Sequence, residues 1–367
     1  MFEWIPLEEY TGKFYNTMLV LTIVVAFHSL SFDIRNKKRL AELGVFGIIL
    51  MIFVILYMGF RPVSGWVFGD MSTYNRIYLD YQSGEPYRQT GDWLFYRFMW
   101  ICAKVMTPRN FFILVDILYV VPMYLFSKKH FRRYWFFCFF MLMASFSFWG
   151  YGTNGLRNGL ATSFFLWGLV YFKDNKWLMY AFFLLGFMMH KSLIIAIAAF
   201  AIAHFLKDKP KLILGGWLAA IPVSLVSGSF WNSFFESLGF FGERTEGYLT
   251  GDEKTLEQFS ATGFRWDFLL YSGIAIFAGW YFIIDRKLKD KFYTQLFGTY
   301  AVANAFWILV IRAAFSNRFA YLSWFMMAPV IIYPLCKYEI IKNQYRTIGS
   351  IILLYYLFTY LMLMILR

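Results

Sequence analysis

Long apolar segments follow one another along the whole of this 367-residue chain, and most of them approach the length that a membrane-spanning helix needs. A helix requires about 20 apolar residues to cross the hydrocarbon core of a bilayer, which is roughly 30 Å thick. Hydrophobic residues make up 60% of the sequence and aromatic residues 23%, well above the apolar share of soluble domains. The sequence therefore predicts an all-α, polytopic integral membrane protein with a single transmembrane domain over residues 1–367.

The basic residues predict how these segments are oriented, because loops rich in Lys and Arg stay on the cytoplasmic side. The basic residues that give the net charge of +13 are concentrated in short loops between the apolar segments. This distribution favours a membrane protein over a nucleic-acid binder. The pattern fits about twelve spans with both termini outside, and the absence of basic residues from the first nine positions predicts no cleaved signal. The predicted spans cover residues 15–31, 43–60, 110–127, 134–150, 155–172, 177–189, 191–206, 212–228, 264–284, 293–311, 317–336 and 347–366.

Three longer segments between the predicted spans are expected not to cross the membrane. The segment near 93–107 is apolar but contains two basic residues and is short for a span, so a re-entrant or interfacial helix is predicted there. Residues 61–92 and 229–263 are predicted to form long loops on the outer side. Aromatic residues recur at helical spacing at the start of the second loop, which predicts an amphipathic helix lying on the membrane near 229–241.

Arginine opens three of the predicted spans. Arg157, Arg265 and Arg318 each lie at the start of an apolar run, shortly after residues that are typical helix caps. Because the N-terminus of a helix carries partial positive charge, a cation there is unfavourable unless an anion lies nearby. The three arginines therefore predict a binding site for phosphate or carboxylate.

Further charged residues fall on the same predicted outer face of the membrane. Charges close to the hydrocarbon usually have partners or line a water-filled cavity. Since a guanidinium group binds phosphate through two parallel N–H bonds, several convergent arginines suit a diphosphate. The outer-face candidates are Arg61, Asp70, Arg157, His190, Arg265, Arg312 and Arg318.

Each candidate also has a purely structural interpretation. An interfacial arginine can extend its guanidinium to lipid headgroups without any chemical role. His190 can be a buried, hydrogen-bonded histidine, and Asp70 can pair with an arginine. Asp116, inside a predicted span, is expected to bond to a neighbouring helix.

The order of the motifs along the chain resembles the EpsG-type branch of the Wzy polysaccharide polymerases. The resemblance covers most of the chain and rests on five short elements, and this sequence has Met71 where the family often has an aromatic residue. The elements are Arg61, Gly69-Asp70-x-x-x-Tyr74, Arg157-Asn158-Gly159-Leu160-Ala161, His190-Lys191-Ser192 and Ser316-Asn317-Arg318.

The resemblance implies a glycosyltransferase of GT-C-like architecture in the inner membrane of a bacterium. Such an enzyme transfers a growing glycan from undecaprenyl diphosphate to a sugar hydroxyl of the next lipid-linked repeat unit, on the outer face of the membrane. The expected partners are membrane lipids, a flippase and a chain-length regulator, with no nucleic acid. No metal or other cofactor is expected, since arginine can take the place of Mg²⁺ beside a diphosphate.

The chemistry of such a transfer suggests roles for individual residues on the predicted outer face. His190 is the first candidate for the base that takes the acceptor proton and Asp70 the second, while Arg157 and Arg318 stabilise the leaving diphosphate. Contacts to the lipid diphosphate or the glycan are expected from Arg61, Tyr74, Arg157, Asn158, Lys191, Ser192, Arg265, Arg312, Asn317 and Arg318.

Two other functions are compatible with the same spans. A flippase or secondary transporter of lipid-linked sugars usually places its charged site near the bilayer midplane, between repeated halves of the chain. Here the charges favour one face of the membrane and no internal repeat is evident, which favours an enzyme. An O-antigen ligase would use the same donor with a different acceptor, and the sequence separates it poorly from a polymerase.

Overall fold

The computed structural model describes residues 2, 4–33, 36–88, 91–237, 263–313 and 316–365, and every regular element in these ranges is helical. Short 3₁₀ turns at Arg132–Tyr134 and Lys191–Leu193 and a π-helical turn at Trp280–Asp285 join some of the helices. The α-helices are α1 Leu7–Ser31, α2 Lys37–Gly59, α3 Gly65–Phe68, α4 Met71–Gln82, α5 Trp93–Ala103, α6 Pro108–Phe131, α7 Trp135–Met143, α8 Phe146–Thr153, α9 Leu156–Val170, α10 Lys176–Met189, α11 Ile194–Phe205, α12 Pro210–Ser237, α13 Trp266–Gly279, α14 Lys291–Leu309, α15 Ser316–Trp324, α16 Met327–Lys337 and α17 Gln344–Ile365.

Seven helical segments in the described part of the chain are long and apolar enough to cross a membrane. They overlap eight of the twelve predicted spans, because Pro108–Met143 covers 110–127 and part of 134–150, and the protein is a multi-pass membrane protein. The other four predicted spans are also helical, but α9, α10 and α11 have only 15, 14 and 12 residues, so the count of about twelve stays a prediction. The seven segments are Leu7–Ser31, Lys37–Gly59, Pro108–Met143, Pro210–Ser227, Trp266–Asp285, Ser316–Lys337 and Gln344–Met364.

The two segments predicted to lie on the membrane surface are helical where they are described. Helix α5 has 11 residues, which at 1.5 Å per residue is about 16 Å, roughly half of what a span requires. The helix predicted near 229–241 is the end of α12, which continues to Ser237 after a break in helical geometry at Ser227. Residues 238–262, including most of the predicted outer loop, lie outside the described residues.

The chain divides into two compact units, Met1–His190 with Leu335–Arg367, and Lys191–Pro334. In the first unit, α6 packs against α2, α7 and α9, and α1 pairs with α17. Helix α9 packs closely against α10 because Gly168 has no side chain: a Cβ atom there would lie 2.7 Å from the ring of Phe183. Since α9 and α10 are consecutive and packed side by side, the start of α9 and the end of α10 come to the same end of the unit.

The second unit is built around α14, which packs against α11, α12, α13 and α15. The amide of Asn304 lies at its centre and is fully buried. It accepts a hydrogen bond from Trp217 Nε1 at 2.8 Å and donates to Ser272 Oγ at 3.1 Å and Ser323 Oγ at 3.0 Å. Because all three bonds are made inside an apolar core, this network fixes four helices in one arrangement.

Candidate active site

Asp92 is the centre of a charged cluster in the first unit. Its Oδ2 atom accepts a hydrogen bond from Arg157 Nη1 at 2.6 Å and lies 2.8 Å from Nδ1 of His190. The Asp92 side chain is 9% exposed, whereas those of Arg157 and His190 are each 22% exposed. The carboxylate is therefore shielded, while the arginine and the histidine stay within reach of a ligand.

Three helix ends bring these side chains together. Asp92 is the residue that precedes α5, Arg157 is the second residue of α9, and His190 follows α10 with an extended backbone. Helix α10 packs against both α9 and α5. The unfavourable position of Arg157 in the first turn of its helix is thus offset by a carboxylate from another part of the chain, as the helix dipole requires.

Tyr74 holds the other side of the Arg157 guanidinium. Its hydroxyl accepts a hydrogen bond from Arg157 Nε at 3.1 Å. Burial, which disfavours the phenolate, raises the pKa of Tyr74 to about 12, so the hydroxyl keeps its proton at working pH. With Nε on Tyr74 and Nη1 on Asp92, the guanidinium plane of Arg157 is fixed.

The Asp92 contact also determines which nitrogen of His190 is available for chemistry. An ionised carboxylate only accepts hydrogen bonds, so the Nδ1 atom of His190 must carry the proton that points to Asp92. In the neutral ring Nε2 then holds the lone pair. This is the arrangement in which a carboxylate orients a histidine as a general base.

Asp70, the second candidate for the base, lies just before α4 and is half-buried. Its backbone N–H donates to Asn154 Oδ1 at 2.8 Å, in the loop that leads into α9. Gly69 has a φ of +53°, and a Cβ atom there would lie 2.5 Å from the same Asn154 oxygen, so only glycine fits this turn. The turn thus ties the start of α4, which carries Tyr74 one turn further on, to the start of α9.

Asn158 is half-buried next to Arg157.

Arg61 does not present its charge to the outside. Its side chain and that of Asp116, in α6, are both 0% exposed, and Nη1 of Arg61 lies 3.0 Å from Oδ2 of Asp116. The same guanidinium also donates to the carbonyl oxygens of Met58 and Thr153. Asp116 thus pairs with Arg61, two residues beyond the end of α2. The charge of Arg61, which was expected to contact the diphosphate or the glycan, is directed to this buried partner.

The remaining candidates lie in the second unit. Arg265 forms a bidentate ion pair with Asp267 two residues on, with N–O distances of 2.9 and 2.6 Å, and Arg312 Nη2 donates to the carbonyl of Leu225 at 3.4 Å. Asn317 hydrogen-bonds to Tyr321 one turn later in α15. Arg318 and Lys191 are exposed and Ser192 is half-buried.

The structure thus brings together Arg157, Tyr74 and His190 of the sequence candidates, around one residue that the sequence did not single out. Asp92 lies 65 residues before Arg157 and 98 before His190, so no local pattern connects them. The only available signal was the place of this Asp directly before a short aromatic helix. Among the described residues, no group of three or more His, Cys, Asp or Glu side chains is placed to hold a metal ion.

The fold and this cluster define a multi-pass helical membrane protein with an arginine and a carboxylate-oriented histidine held at the ends of neighbouring helices. The chain belongs to the EpsG family, whose family model matches residues 44–367. Searches of curated proteins and of solved structures found no match. Family membership indicates a membrane polysaccharide polymerase, a glycosyltransferase-like enzyme.

Proposed function

We propose that this protein joins repeat units of a polysaccharide by transferring a growing glycan from undecaprenyl diphosphate to a sugar hydroxyl of the next lipid-linked unit. The observation that carries the proposal is the Asp92 carboxylate, which binds Arg157 and His190 at once. The guanidinium of Arg157 suits a diphosphate, and the imidazole of His190 suits a hydroxyl proton. The reaction needs both within one site.

In this reaction the acceptor hydroxyl attacks the anomeric carbon of the donor sugar. Nε2 of His190 takes the hydroxyl proton, and Asp92 stabilises the imidazolium that forms. The bond between the anomeric carbon and the diphosphate oxygen breaks as the new glycosidic bond forms, and undecaprenyl diphosphate leaves. Arg157 stabilises the charge that develops on the leaving oxygen, and Tyr74 and Asp92 hold its guanidinium in place beforehand.

The other candidate residues take secondary parts in the proposal. On the sequence pattern alone, Asn158, Lys191, Ser192, Arg312, Asn317 and Arg318 stay predicted contacts for phosphate or glycan. Asp70 is the alternative proton acceptor. Arg265, which is already paired with Asp267, would have to leave that partner to bind a substrate.

The reaction as proposed needs no metal, because arginine supplies the positive charge. We place it on the outer face of the bacterial inner membrane, after a flippase has delivered the lipid-linked unit and under the control of a chain-length regulator. The basic loops that support this orientation are those that the positive-inside rule assigns to the cytoplasm.

The test is to incubate the purified full chain with a synthetic repeat unit on undecaprenyl diphosphate, without added metal and with a chelator, and to separate the products by length. A ladder of products is expected. Movement of the lipid-linked unit across a vesicle membrane without any ladder would indicate a transporter. Transfer of a single glycan to another lipid acceptor, again without a ladder, would indicate a ligase.

A further inference from the structure

Helix α5 and the two residues that follow it have one buried and one exposed side. The buried side packs against α4, α6 and α10, and the hydroxyl of Tyr78 and the side-chain amide of Gln82 both donate to the carbonyl of Met106, which fixes the end of the segment. The helix is too short to cross the bilayer, so its exposed side lies along the surface of the first unit. The exposed side carries Trp93, Arg97, Ile101, Lys104 and Val105, and the buried side carries Phe95, Tyr96, Met99 and Cys102.

The exposed side combines apolar and cationic groups. Trp93, Ile101 and Val105 are 45%, 51% and 75% exposed, which is unfavourable in water and favourable at a lipid surface. Between them lie the charges of Arg97 and Lys104. Tryptophan and aliphatic side chains next to lysine and arginine are typical of a helix at the level of the lipid headgroups.

The two cations are held by aromatic rings and not by carboxylates. Lys104 Nζ lies 3.4 Å from the centroid of the Trp100 ring, and the guanidinium carbon of Arg97 lies 5.0 Å from that ring and 4.9 Å from the ring of Tyr87. Within the part of the chain that the structure describes, neither cation forms an ion pair with an acidic residue. Residues 93–107 contain no Asp or Glu at all.

We propose that this exposed side of α5 is a docking surface for the headgroups of anionic phospholipids in the surrounding bilayer. The aromatic rings hold the two cations at a fixed height, and their unneutralised charge attracts lipid phosphates that carry a net negative charge. Ile101 and Val105 enter the acyl region beneath the headgroups. The proposal stands independently of the transfer reaction, since it concerns the opposite side of α5 from the cluster of Asp92.

The experiment attaches a nitroxide spin label to a Val105→Cys variant of the full chain in lipid nanodiscs. The depth of the label in the bilayer follows from its accessibility to oxygen compared with its accessibility to a water-soluble nickel chelate. We expect the label to move deeper when phosphatidylglycerol is added to phosphatidylcholine. The parent chain, whose Cys102, Cys138 and Cys336 are buried, gives the labelling background.

Two further variants test the role of charge. Removing both cations with Arg97→Gln and Lys104→Gln should abolish the shift that phosphatidylglycerol causes. The pair Lys37→Gln and Lys38→Gln, which removes two exposed charges at the start of α2, should leave the shift unchanged. A label that stays accessible to the nickel chelate in both lipids, or a shift that persists without Arg97 and Lys104, would overturn the proposal.

Discussion

Nδ1 of His190 lies 2.8 Å from Oδ2 of Asp92, the same oxygen atom that Arg157 reaches with Nη1. A single carboxylate oxygen therefore positions both a group that suits phosphate and a group that suits a proton. If the two act in one reaction, losing Asp92 disturbs both.

Replacing His190 by glutamine tests the proton acceptor. Glutamine keeps an N–H for Asp92 but cannot accept a proton at working pH, so the polymerisation rate should fall by about 10²- to 10⁴-fold. The measurement is the initial rate of ladder formation by purified enzyme. His204→Gln, which changes an exposed histidine in α11, is the matched control and should keep the parent rate. A rate within about tenfold of the parent for His190→Gln would point to Asp70 or to substrate phosphate as the acceptor.

Asp92→Asn tests whether the carboxylate acts through His190. The variant should lose rate, and combining it with His190→Gln should cost little more than His190→Gln alone, because two residues that act as a unit are not additive. Asp80→Asn, which alters an exposed carboxylate paired with Arg88, serves as the control. Fully additive losses in the double variant would show that Asp92 and His190 act separately.

Arg157→Lys should lower the polymerisation rate on the order of 10²-fold, the usual effect of removing one preorganised donor to a developing charge. Lysine has no second nitrogen with which to bind Tyr74 and Asp92 together, so its charge is no longer held in one place. Steady-state kinetics with varied donor concentration are the measurement. The exposed Arg76→Lys in α4 should behave like the parent. Equal rates for both lysine variants would return Arg157 to a purely structural role.

Arg61→Met should destabilise the protein by about 3–5 kcal/mol, because it leaves the Asp116 carboxylate buried without a cation. The double variant Arg61→Met with Asp116→Leu should recover most of this loss, since no buried charge remains. Thermal unfolding in detergent gives both values. Arg39→Gln, which breaks the exposed pair with Glu42, should cost less than about 1 kcal/mol. A double variant as unstable as the single one would contradict the ion-pair explanation.

Tyr74→Phe should change the dependence of stability on alkaline pH. Burial raises the pKa of Tyr74 from 10.0 to about 12. The contribution of its protonated hydroxyl to the free energy of unfolding is therefore complete below pH 10 and is lost as the pH rises towards 12. Phenylalanine cannot ionise, so the variant should lose less Tm than the parent over this interval. The difference between the two chains isolates Tyr74 from the other tyrosines. Parallel curves for parent and variant would contradict the raised pKa.

The helices were predictable because a backbone inside lipid must form its hydrogen bonds internally, so each long apolar run specifies a helix. The short helix α5 was predictable within a few residues because it is an apolar run that is too short for a span and ends near Pro108. Arg157 and His190 were singled out in the sequence because a cation at a helix start and a short polar stretch between apolar runs are both locally anomalous.

The partners of these residues were not predictable. Asp92 lies in a loop with other acidic residues, and only its place directly before a short aromatic helix sets it apart. In the sequence, Arg61 resembles the other outer-face arginines because it lies at the end of a predicted span. In the structure, its charge is directed inward to Asp116, 55 residues later. Pairings of this kind depend on how helices pack against one another. Neither the hydrophobic periodicity nor the charge of a single segment encodes that packing.

The pair of Arg61 and Asp116 has a consequence for biosynthesis. A lone aspartate within a span costs about 2.5–3.5 kcal/mol when the translocon releases it into lipid. Because Arg61 precedes Asp116 in the chain, its guanidinium is already at the membrane when α6 emerges from the ribosome. We therefore expect Asp116 to meet its counter-charge as it inserts, and the correct insertion of α6 to require that α2 has been inserted first.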